Sequence, residues 1–402
     1  MGPDLAVAVA GIGGLLAYFG LERARVASNR RAVPLRICVT GTRGKSSVVR
    51  LIAAGLSAGG TRTLAKTTGS RACVILPSGE ERPLVRRGTP SILEQRAVLR
   101  MARREEARAL VVEVMSIRPE NYAVELGRLI VPHVLALTNV RPDHTADLGE
   151  SSEDAARAFA AGVPARCRLV LPQGALPQSL VQGLERRGVH VRVVGTDAYS
   201  GEVEGLTVAY AEWADNVRLA LAVCAAAGVS PDVAAVGMQE VRADFGALRA
   251  WRLTDGGSAW IAVNAFAAND PVSTMSAYRR VVEADACRGL PLVGVFNVRS
   301  DRGDRTAQWC RVLASGTGPE LERLLVVGDR PGLVARRVRL RYGDRVQTLP
   351  ERVPEAVTRE VQRVAPSGGV LFGFGNIGGL GAALVEHWEE VGEPVCLSSS
   401  LS

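Results

Sequence analysis

Lysine is almost absent from this chain of 402 residues. Lysine and arginine together number 49, yet only Lys45 and Lys66 are lysines. A compact ammonium and a planar guanidinium bind differently, so one does not replace the other where geometry matters. We interpret the two lysines as positions that require an ammonium, with chance retention as the alternative.

Aromatic residues and paired cysteines are also scarce. Aromatics make up 4% of the chain, and no tract interleaves them with basic residues. This argues against a dedicated nucleic-acid surface, so no nucleic-acid partner is expected. None of the seven cysteines forms a C-x-x-C pair, which indicates neither a zinc site nor a disulfide framework and fits a reducing cytoplasm. The net charge of +8 suits an acidic substrate, anionic lipid or nucleic acid, or reflects a general arginine bias.

Short apolar runs alternate with helical stretches beyond residue 34. Hydrophobic residues make up 47% and charged residues 22%, so the chain is neither disordered nor a polytopic membrane protein. Alternation of this kind predicts an α/β fold with a parallel sheet covered by helices on both faces. A boundary near residue 246 separates two such units, 31–245 and 246–402. The predicted strands are 35–40, 61–65, 109–112, 134–138, 168–171, 189–194, 260–263, 292–296, 323–327 and 369–372, and the predicted helices include 46–58 and 91–107.

The first 30 residues differ from the rest. Residues 5–21 form an uncharged apolar run of 17 residues, which reaches the lower edge of a membrane-spanning helix. Arg23, Arg25, Arg30 and Arg31 follow it and predict that the body of the protein stays in the cytoplasm. We expect a single N-terminal anchor helix followed by a basic linker, with a buried or interfacial helix as the alternative.

A glycine-rich turn follows the first predicted strand. It reads Thr40-Gly41-Thr42-Arg43-Gly44-Lys45-Ser46 and leads into a predicted helix. Such a turn directs backbone N–H groups at a phosphate, while Lys45 neutralises the β- and γ-phosphates and Ser46 offers a hydroxyl to Mg²⁺. The usual pattern has a glycine six positions before the lysine, where this chain has Val39. The loop is therefore a shortened form of the common phosphate-binding motif.

Acidic and imidazole side chains follow two other predicted strands. Glu113 ends an apolar run, and 138–147 combines Thr138 and Asn139 with an Asp-His-x-x-Asp group that contains His144. In open α/β sheets the ligand crevice lies beyond the carboxyl ends of the strands, so these groups and Lys45 should converge there. Carboxylate and imidazole ligands suit Mg²⁺ or Mn²⁺ beside a nucleotide.

These motifs resemble, in this order, the ATP-binding domain of Mur ligases and folylpolyglutamate synthases. The chain is more similar still to poly-γ-glutamate synthases of the PgsB/CapB type, over nearly its whole length. The resemblance implies a Mur ligase central domain at 31–245 and a smaller Rossmann-like ligase domain at 246–402. The segments that carry it, besides the phosphate loop, are 66–69 (KTTG), 113–115, 215–216, 245–249, 264–270, 299–306 and 373–378.

The resemblance implies a role for each matching residue. Asn216 would face the adenine, Arg249 would reach the γ-phosphate, and Asn264 would lie near the ribose. Lys45, Lys66 and His144 would be catalytic. The implied ATP-binding residues are Gly41, Thr42, Arg43, Gly44, Lys45, Ser46, Ser47, Asn216, Arg249 and Asn264. The implied metal ligands are Ser46, Glu113 and His144. The implied substrate-binding residues are Lys66, Thr67, Thr68, Asn269, Asp270, Arg302 and Arg305.

The implied reaction is amide synthesis with ATP and Mg²⁺ or Mn²⁺. ATP phosphorylates a carboxylate, and an amine then attacks the acyl phosphate to give an amide, ADP and phosphate. The implied partners are glutamate, a growing polyglutamate chain, and small integral-membrane and export subunits at the cytoplasmic face of the membrane. Self-association is left open.

Two departures from the family pattern narrow this expectation. Many Mur ligases carry a carbamylated lysine downstream of the Asp-His segment, whereas this chain has no lysine after Lys66, which disfavours a second metal site of that kind. Only about 40 residues precede the phosphate loop, which disfavours a peptidoglycan precursor as substrate. Two alternatives remain: another amino-acid ligase of the folylpolyglutamate type, and a P-loop ATPase that energises a membrane complex.

Overall fold

The computed structural model describes residues 3–86, 88–116, 118–141, 151–206, 210, 212–255, 258–350, 352–364 and 368–397. The chain divides into two compact units. The first comprises Met1–Leu206 and Ala214–Val241, and the second comprises Thr207–Trp213 and Arg242–Ser402. The polypeptide therefore passes from one unit to the other three times. Each unit is an α/β structure with its own sheet, as the alternating sequence pattern predicted.

The sheet of the first unit has the strand order β4-β3-β2-β5-β1-β6-β7-β8. Its central strands are short, buried and parallel, and β1 lies between β5 and β6. The carboxyl ends of β1, β5 and β6 therefore meet at one edge. The strands are β1 (Leu35–Thr40), β2 (Thr63–Thr67), β3 (Cys73–Ile75), β4 (Glu81–Pro83), β5 (Ala109–Glu113), β6 (Val134–Leu137), β7 (Arg168–Pro172) and β8 (His190–Val194).

Helices cover this sheet. The helix that follows the phosphate loop buries Val48, Leu51, Ile52 and Leu56, spaced three and four residues apart, so that one apolar face packs inward. The helices are α1 (Pro3–Arg31), α2 (Lys45–Ala58), α3 (Glu94–Arg104), α4 (Pro119–Val124) continued by a π-helix (Glu125–Ile130), α5 (Ser152–Ala161), α6 (Gln178–Arg186), α7 (Ser200–Glu204), α8 (Ala214–Ala226) and α9 (Pro231–Gln239).

The first sheet is mostly parallel, as predicted, but one edge of it is antiparallel. Strands β2, β3 and β4 pair antiparallel. The three-residue strands β3 and β4 are too short to produce a periodic sequence signal, and the turn between them places Gly79 at φ 84°. The second strand also begins two residues later than predicted. It also ends two residues later, at Thr67, so Lys66 lies inside β2 and not after the strand as predicted.

The N-terminal helix also differs from expectation. Helix α1 continues through the basic residues to Arg31, so the predicted basic linker is helical. Residues 21–31 favour this because leucine, glutamate, alanine and arginine are good helix formers and arginines near a C-terminus complement the helix dipole. Among the described residues, no helix is both long enough and apolar enough to cross a bilayer, which leaves the predicted anchor unsupported.

The sheet of the second unit has the order β13-β12-β11-β14-β10-β9-β15. Strands β13 to β10 are parallel in this order, whereas β9 pairs antiparallel with both β10 and β15. Only two residues join β9 to β10, too few for a parallel crossover, so this part of the sheet also departs from the parallel expectation. The strands are β9 (Arg249–Asp255), β10 (Ser258–Asn264), β11 (Leu292–Val298), β12 (Arg323–Gly328), β13 (Val346–Thr348), β14 (Gly369–Gly375) and β15 (Glu393–Val395).

Aromatic side chains fill the core of the second unit. On one face of the sheet Phe296 stacks on Phe374, and Trp309 meets Phe374 edge-on. On the other face Phe266 stacks on Trp388. The helices are α10 (Pro271–Glu283), α11 (Gly303–Ser315), α12 (Pro331–Tyr342), α13 (Pro354–Val364) and α14 (Leu380–Val391).

Glu212 and Trp213, at the end of the stretch 207–213, are held within the second unit. Arg280 of α10 donates a hydrogen bond to the backbone carbonyl of Glu212. The same guanidinium lies 5.1 Å from the centroid of the Trp213 ring, a cation–π contact. One arginine therefore holds two successive residues of this stretch.

Candidate active site

The phosphate loop leaves β1 through a backbone conformation that requires glycine. Gly41 has φ 121°, and a Cβ there would collide with the Thr138 hydroxyl and lie 2.9 Å from the carbonyl oxygen of Asn139. Gly44 has φ 81° and is the N-cap residue of α2. A Cβ on Gly44 would lie 2.6 Å from Oδ1 of Asn216. Both glycines therefore allow neighbouring polar groups to approach the loop backbone closely.

Hydrogen bonds hold the loop to the segment that follows β6. The N–H of Thr42 donates to the carbonyl of Asn139 at 2.9 Å, and the N–H of Arg43 donates to Oδ1 of Asn139 at 3.1 Å. Nδ2 of Asn139 donates in return to the carbonyl of Arg43 at 3.0 Å, and the Thr42 hydroxyl donates to the carbonyl of Arg141 at 3.2 Å. This bracing role of Asn139 was not predicted. Its position directly after a buried strand beside β1 is the signal that could have revealed it.

The two side chains after Gly44 point to different partners. Nζ of Lys45 donates to the carbonyls of Gly41 at 2.8 Å and Thr42 at 3.1 Å, so the ammonium lies across the loop. The Ser46 hydroxyl donates to Oε2 of Glu113 at 2.8 Å. Ser47 follows on α2 and is half-buried. The loop thus presents an ammonium and a hydroxyl at the N-terminus of a helix, which favours an anion.

Glu113 lies at the carboxyl end of β5, opposite Val39 of β1. Its carboxylate is 4% exposed and also accepts the N–H of Thr68 at 2.7 Å. The two hydrogen bonds to Oε2 come from neutral donors, and a buried carboxylate is costly without a cation. A hydroxyl and a carboxylate are hard oxygen ligands, so Ser46 and Glu113 fit a magnesium or manganese ion beside the phosphate loop.

His144, the third predicted metal ligand, belongs to 142–150 and lies outside the described residues. Within the described ranges, no cluster of three histidine, cysteine, aspartate or glutamate side chains is placed to hold a metal ion. The ligand role of His144 stays a prediction.

The predicted substrate residues of β2 are buried. Lys66 and Thr67 are both 0% exposed. Nζ of Lys66 lies 3.4 Å from Oε2 of Glu94 and 2.9 Å from Sδ of Met115, and the Thr67 hydroxyl is 3.2 Å from Sγ of Cys73. Burial lowers the pKa of Lys66 below its usual value, although the carboxylates of Glu94, Glu125 and Glu113 act in the opposite direction. A direct contact of these two side chains with substrate stays a prediction, since both are enclosed by protein.

The remaining predicted ATP residues fall in two places. Asn216, near the start of α8, lies against Gly44 in the first unit. Arg249 and Asn264 belong to the second unit. Arg249 pairs with Glu389 at 2.6 Å, and Nδ2 of Asn264 donates to the carbonyls of Phe245 and Ala247 at 3.1 Å each. Asn264 thus holds the backbone of 245–247, and the adenine, γ-phosphate and ribose contacts stay predictions.

The other predicted substrate residues also lie in the second unit. Asp270 caps α10 by accepting the N–H of Ser273 at 2.9 Å, and the Asn269 carbonyl accepts from the Trp309 indole at 3.2 Å. Arg302 is exposed, and Arg305 lies half-buried in the first turn of α11. The structure gives Asp270 and the Asn269 carbonyl structural partners and leaves the arginine side chain at 302 open to solvent.

Family comparisons match both units. Residues 39–213 match the Mur ligase middle domain, and residues 251–391 match the poly-gamma-glutamate synthase CapB C-terminal domain. The chain is 31% identical to PGA synthase CapB of Bacillus subtilis (strain 168), over 92% of this chain and 94% of that protein. It is 34% identical to capsule biosynthesis protein CapB of Bacillus anthracis over 74% of this chain and 64% of that protein, which is less than two thirds of its length.

Solved structures share the fold. The folylpolyglutamate synthase/dihydrofolate synthase of Yersinia pestis, solved with AMPPNP and manganese, superposes with a TM-score of 0.68 at 17% identity, over 91% of this chain and 93% of that one. MurF from Acinetobacter baumannii gives a TM-score of 0.64 at 15% identity, over 91% of this chain and 79% of that one.

Proposed function

Because the chain belongs to the CapB family of poly-γ-glutamate synthases, within the Mur ligases, we propose that it is an ATP-dependent ligase that joins glutamate units through amide bonds. The structural observation that supports this most directly is the 2.8 Å hydrogen bond between Ser46 and Glu113. It places a buried carboxylate beside the phosphate loop, where a nucleotide and its metal ion would be held together.

The reaction proceeds in two steps. A carboxylate oxygen of the polyglutamate chain attacks the γ-phosphorus of ATP, which forms an acyl phosphate and releases ADP. The amine of the incoming glutamate then attacks the acyl carbon, phosphate leaves with the carbon–oxygen bonding pair, and the nitrogen loses a proton to give the amide. A bound divalent cation would neutralise charge on the phosphates.

The residues of the phosphate loop supply the electrostatics of the first step. Lys45 exchanges its loop carbonyl partners for phosphate oxygens, and the N-terminus of α2 adds the positive end of its helix dipole. Ser46 and Glu113 would hold the metal ion, whose charge would offset that of the phosphates. Asn139 keeps the loop in shape through its bonds to Arg43. Groups fixed before the reaction stabilise developing charge without reorganising.

Hydroxylamine trapping tests the proposal. The full chain with ATP, Mg²⁺, a glutamate oligomer and hydroxylamine should yield a hydroxamate and ADP, because hydroxylamine intercepts an acyl phosphate. A γ-glutamyl oligomer and a folate monoglutamate, offered separately as carboxylate donors, distinguish the CapB activity from a folylpolyglutamate activity. ATP hydrolysis without a hydroxamate from any donor would leave only the ATPase alternative.

We further propose that the ligase works at the cytoplasmic face of the membrane, with small integral-membrane and export subunits as partners. The support is helix α1, whose apolar side chains are strongly exposed: Ile12 is 59%, Leu16 68% and Phe19 58% exposed. Exposed apolar side chains in a row indicate an interaction surface. Basic residues at positions 23, 25, 30 and 31 follow them and suit anionic lipid headgroups.

Membrane fractionation tests this location. We expect the full chain to float with anionic vesicles and the double variant Leu16→Asp/Phe19→Asp to remain in the dense fraction, because two charges on the helix oppose transfer into lipid. Val236→Asp is a matched control, since Val236 is 63% exposed on α9, and it should float like the unmodified chain. Equal flotation of all three proteins would contradict the proposed location.

A further inference from the structure

We propose that Glu125 is a positioning residue that holds Glu113 in the orientation required for metal binding. This inference rests on the proposed function. It concerns the hydrogen bonds that hold the segment 113–116, which begins at Glu113.

The carboxylate of Glu125 is completely buried, at 0% exposure. It accepts the N–H of Met115 at 3.2 Å, the N–H of Ser116 at 3.0 Å, and the hydroxyl of Ser116. Burying a carboxylate in this way is costly unless its oxygens are well bonded. Several donors converge on one side chain, which satisfies the carboxylate and fixes the backbone that supplies them.

The position of these donors gives Glu125 its role. Strand β5 ends at Glu113, so Met115 and Ser116 lie beyond the strand, and their N–H groups donate to a side chain. Glu125 accepts from both. The direction in which Glu113 projects its carboxylate therefore depends on an anchor two residues further along the chain.

Gln95 of α3 links this anchor to Glu113 itself. Its Nε2 donates to Oε1 of Glu125 at 2.6 Å and lies 3.4 Å from the backbone carbonyl of Glu113. Gln95 is 0% exposed. One buried amide therefore joins the anchoring carboxylate to the peptide group of the metal-facing residue.

Lys66 provides the positive charge for this buried network. Its ammonium is 2.9 Å from Sδ of Met115 and 3.4 Å from Oε2 of Glu94. An enclosed site of this kind suits a compact ammonium better than a guanidinium. The second lysine of the chain thus supports the same segment from the β2 side.

The helix that presents Glu125 is itself unusual. Residues Glu125–Ile130 form a π-helix that directly continues α4, and Glu125 is its first residue. Insertions of this kind are rare and frequently lie at functional sites. The altered helical turn aims the carboxylate at the segment 113–116.

The substitution Glu125→Gln tests this role, because every group around the Glu125 carboxylate named above is a hydrogen-bond donor. The Glu125 partners are an amide NH₂, two backbone N–H groups and a hydroxyl, so its oxygens face donors. Glutamine has nearly the same shape but turns an NH₂ group toward them. The exposed Glu120 of α4 gives a matched control, Glu120→Gln, in the same stretch.

Two measurements separate positioning from general stability. The first is binding of Mn²⁺ to the full chain with AMPPNP, followed by electron paramagnetic resonance. The second is the Mg²⁺ concentration that half-saturates ATP turnover. We expect Glu125→Gln to weaken Mn²⁺ binding and raise the half-saturating Mg²⁺ about 10-fold or more, as for other residues that orient metal ligands. Glu125→Gln should bind AMPPNP without metal as the unmodified chain does. Glu120→Gln should have the Mn²⁺ affinity and the half-saturating Mg²⁺ concentration of the unmodified chain.

Each outcome has one meaning. A Glu125→Gln protein that melts earlier but retains wild-type metal affinity would overturn the inference and leave a purely structural role. If Glu125→Gln does not fold, the same measurements are made on Gln95→Met, which removes the link between Glu125 and Glu113 at similar side-chain volume. An unchanged Mn²⁺ affinity of Gln95→Met would overturn the inference. If the unmodified chain binds no Mn²⁺ with AMPPNP, the proposed function fails instead.

Discussion

Replacing Lys45 with alanine should lower the turnover number for ATP by about 100- to 1000-fold, the usual loss when one preorganised charge is removed from a reacting centre. The ammonium contacts the carbonyls of Gly41 and Thr42, so the variant loses both a phosphate ligand and a brace of the loop. Turnover of ATP by the full chain, measured as ADP release, checks this.

Lys45→Arg is the informative companion. It keeps the positive charge but replaces a compact ammonium by a planar group too large for the space across the loop. We expect it to be almost as inactive as alanine, with an unchanged melting temperature in both variants. If Lys45→Ala hydrolysed ATP at the wild-type rate, the proposed contact of Lys45 with the phosphates would be contradicted.

Replacing Gly41 with alanine should abolish ATP binding in the measurable range. The backbone at φ 121° costs a residue with a Cβ about 1–3 kcal/mol. The added methyl would also collide with the Thr138 hydroxyl and press on the Asn139 carbonyl, whose strand end cannot move freely. The loop must then shift away from Asn139, which breaks the hydrogen bonds that shape it. Isothermal titration with AMPPNP and Mg²⁺ measures the loss.

Gly60→Ala separates backbone strain from steric collision. Gly60 also has a positive φ, at 76°, but a Cβ there meets nothing within 4 Å. We expect it to lower the free energy of unfolding by about 1 kcal/mol while AMPPNP binding stays intact. If Gly41→Ala binds AMPPNP as tightly as Gly60→Ala does, the close approach of Thr138 to the loop is not needed for nucleotide binding.

The phosphate loop and its carboxylate were predictable from local sequence. A glycine-rich turn between an apolar run and a helix, with Glu113 at the end of another run, is enough to place them together, because parallel strands share one carboxyl edge. The 2.8 Å contact of Ser46 with Glu113 agrees with that expectation. Lys66 could be singled out by lysine scarcity alone, but its surroundings could not. Its burial depends on Glu94 and Met115, which only the folded sheet brings near.

The role of Glu125 and Gln95 could not be predicted from the sequence for a similar reason. Each sits on a helix with ordinary polar neighbours, and no short motif links them to Glu113. Their role arises from a π-helical turn and from side-chain contacts across 30 residues of sequence. The antiparallel edge of the first sheet was missed because β3 and β4 have only three residues each, too few for periodicity to be recognised.

The assignment of Thr207–Trp213 to the second unit bears on how the protein is made. A ribosome delivers this stretch before Arg280, the residue that holds it, has been synthesised. Domains generally fold as units from the N-terminus during synthesis. The first unit is complete only after α9 has emerged, and Glu212 and Trp213 gain their contacts with Arg280 only when α10 follows. Neither unit therefore corresponds to one uninterrupted stretch of the chain, and each is completed only when a later segment has been synthesised.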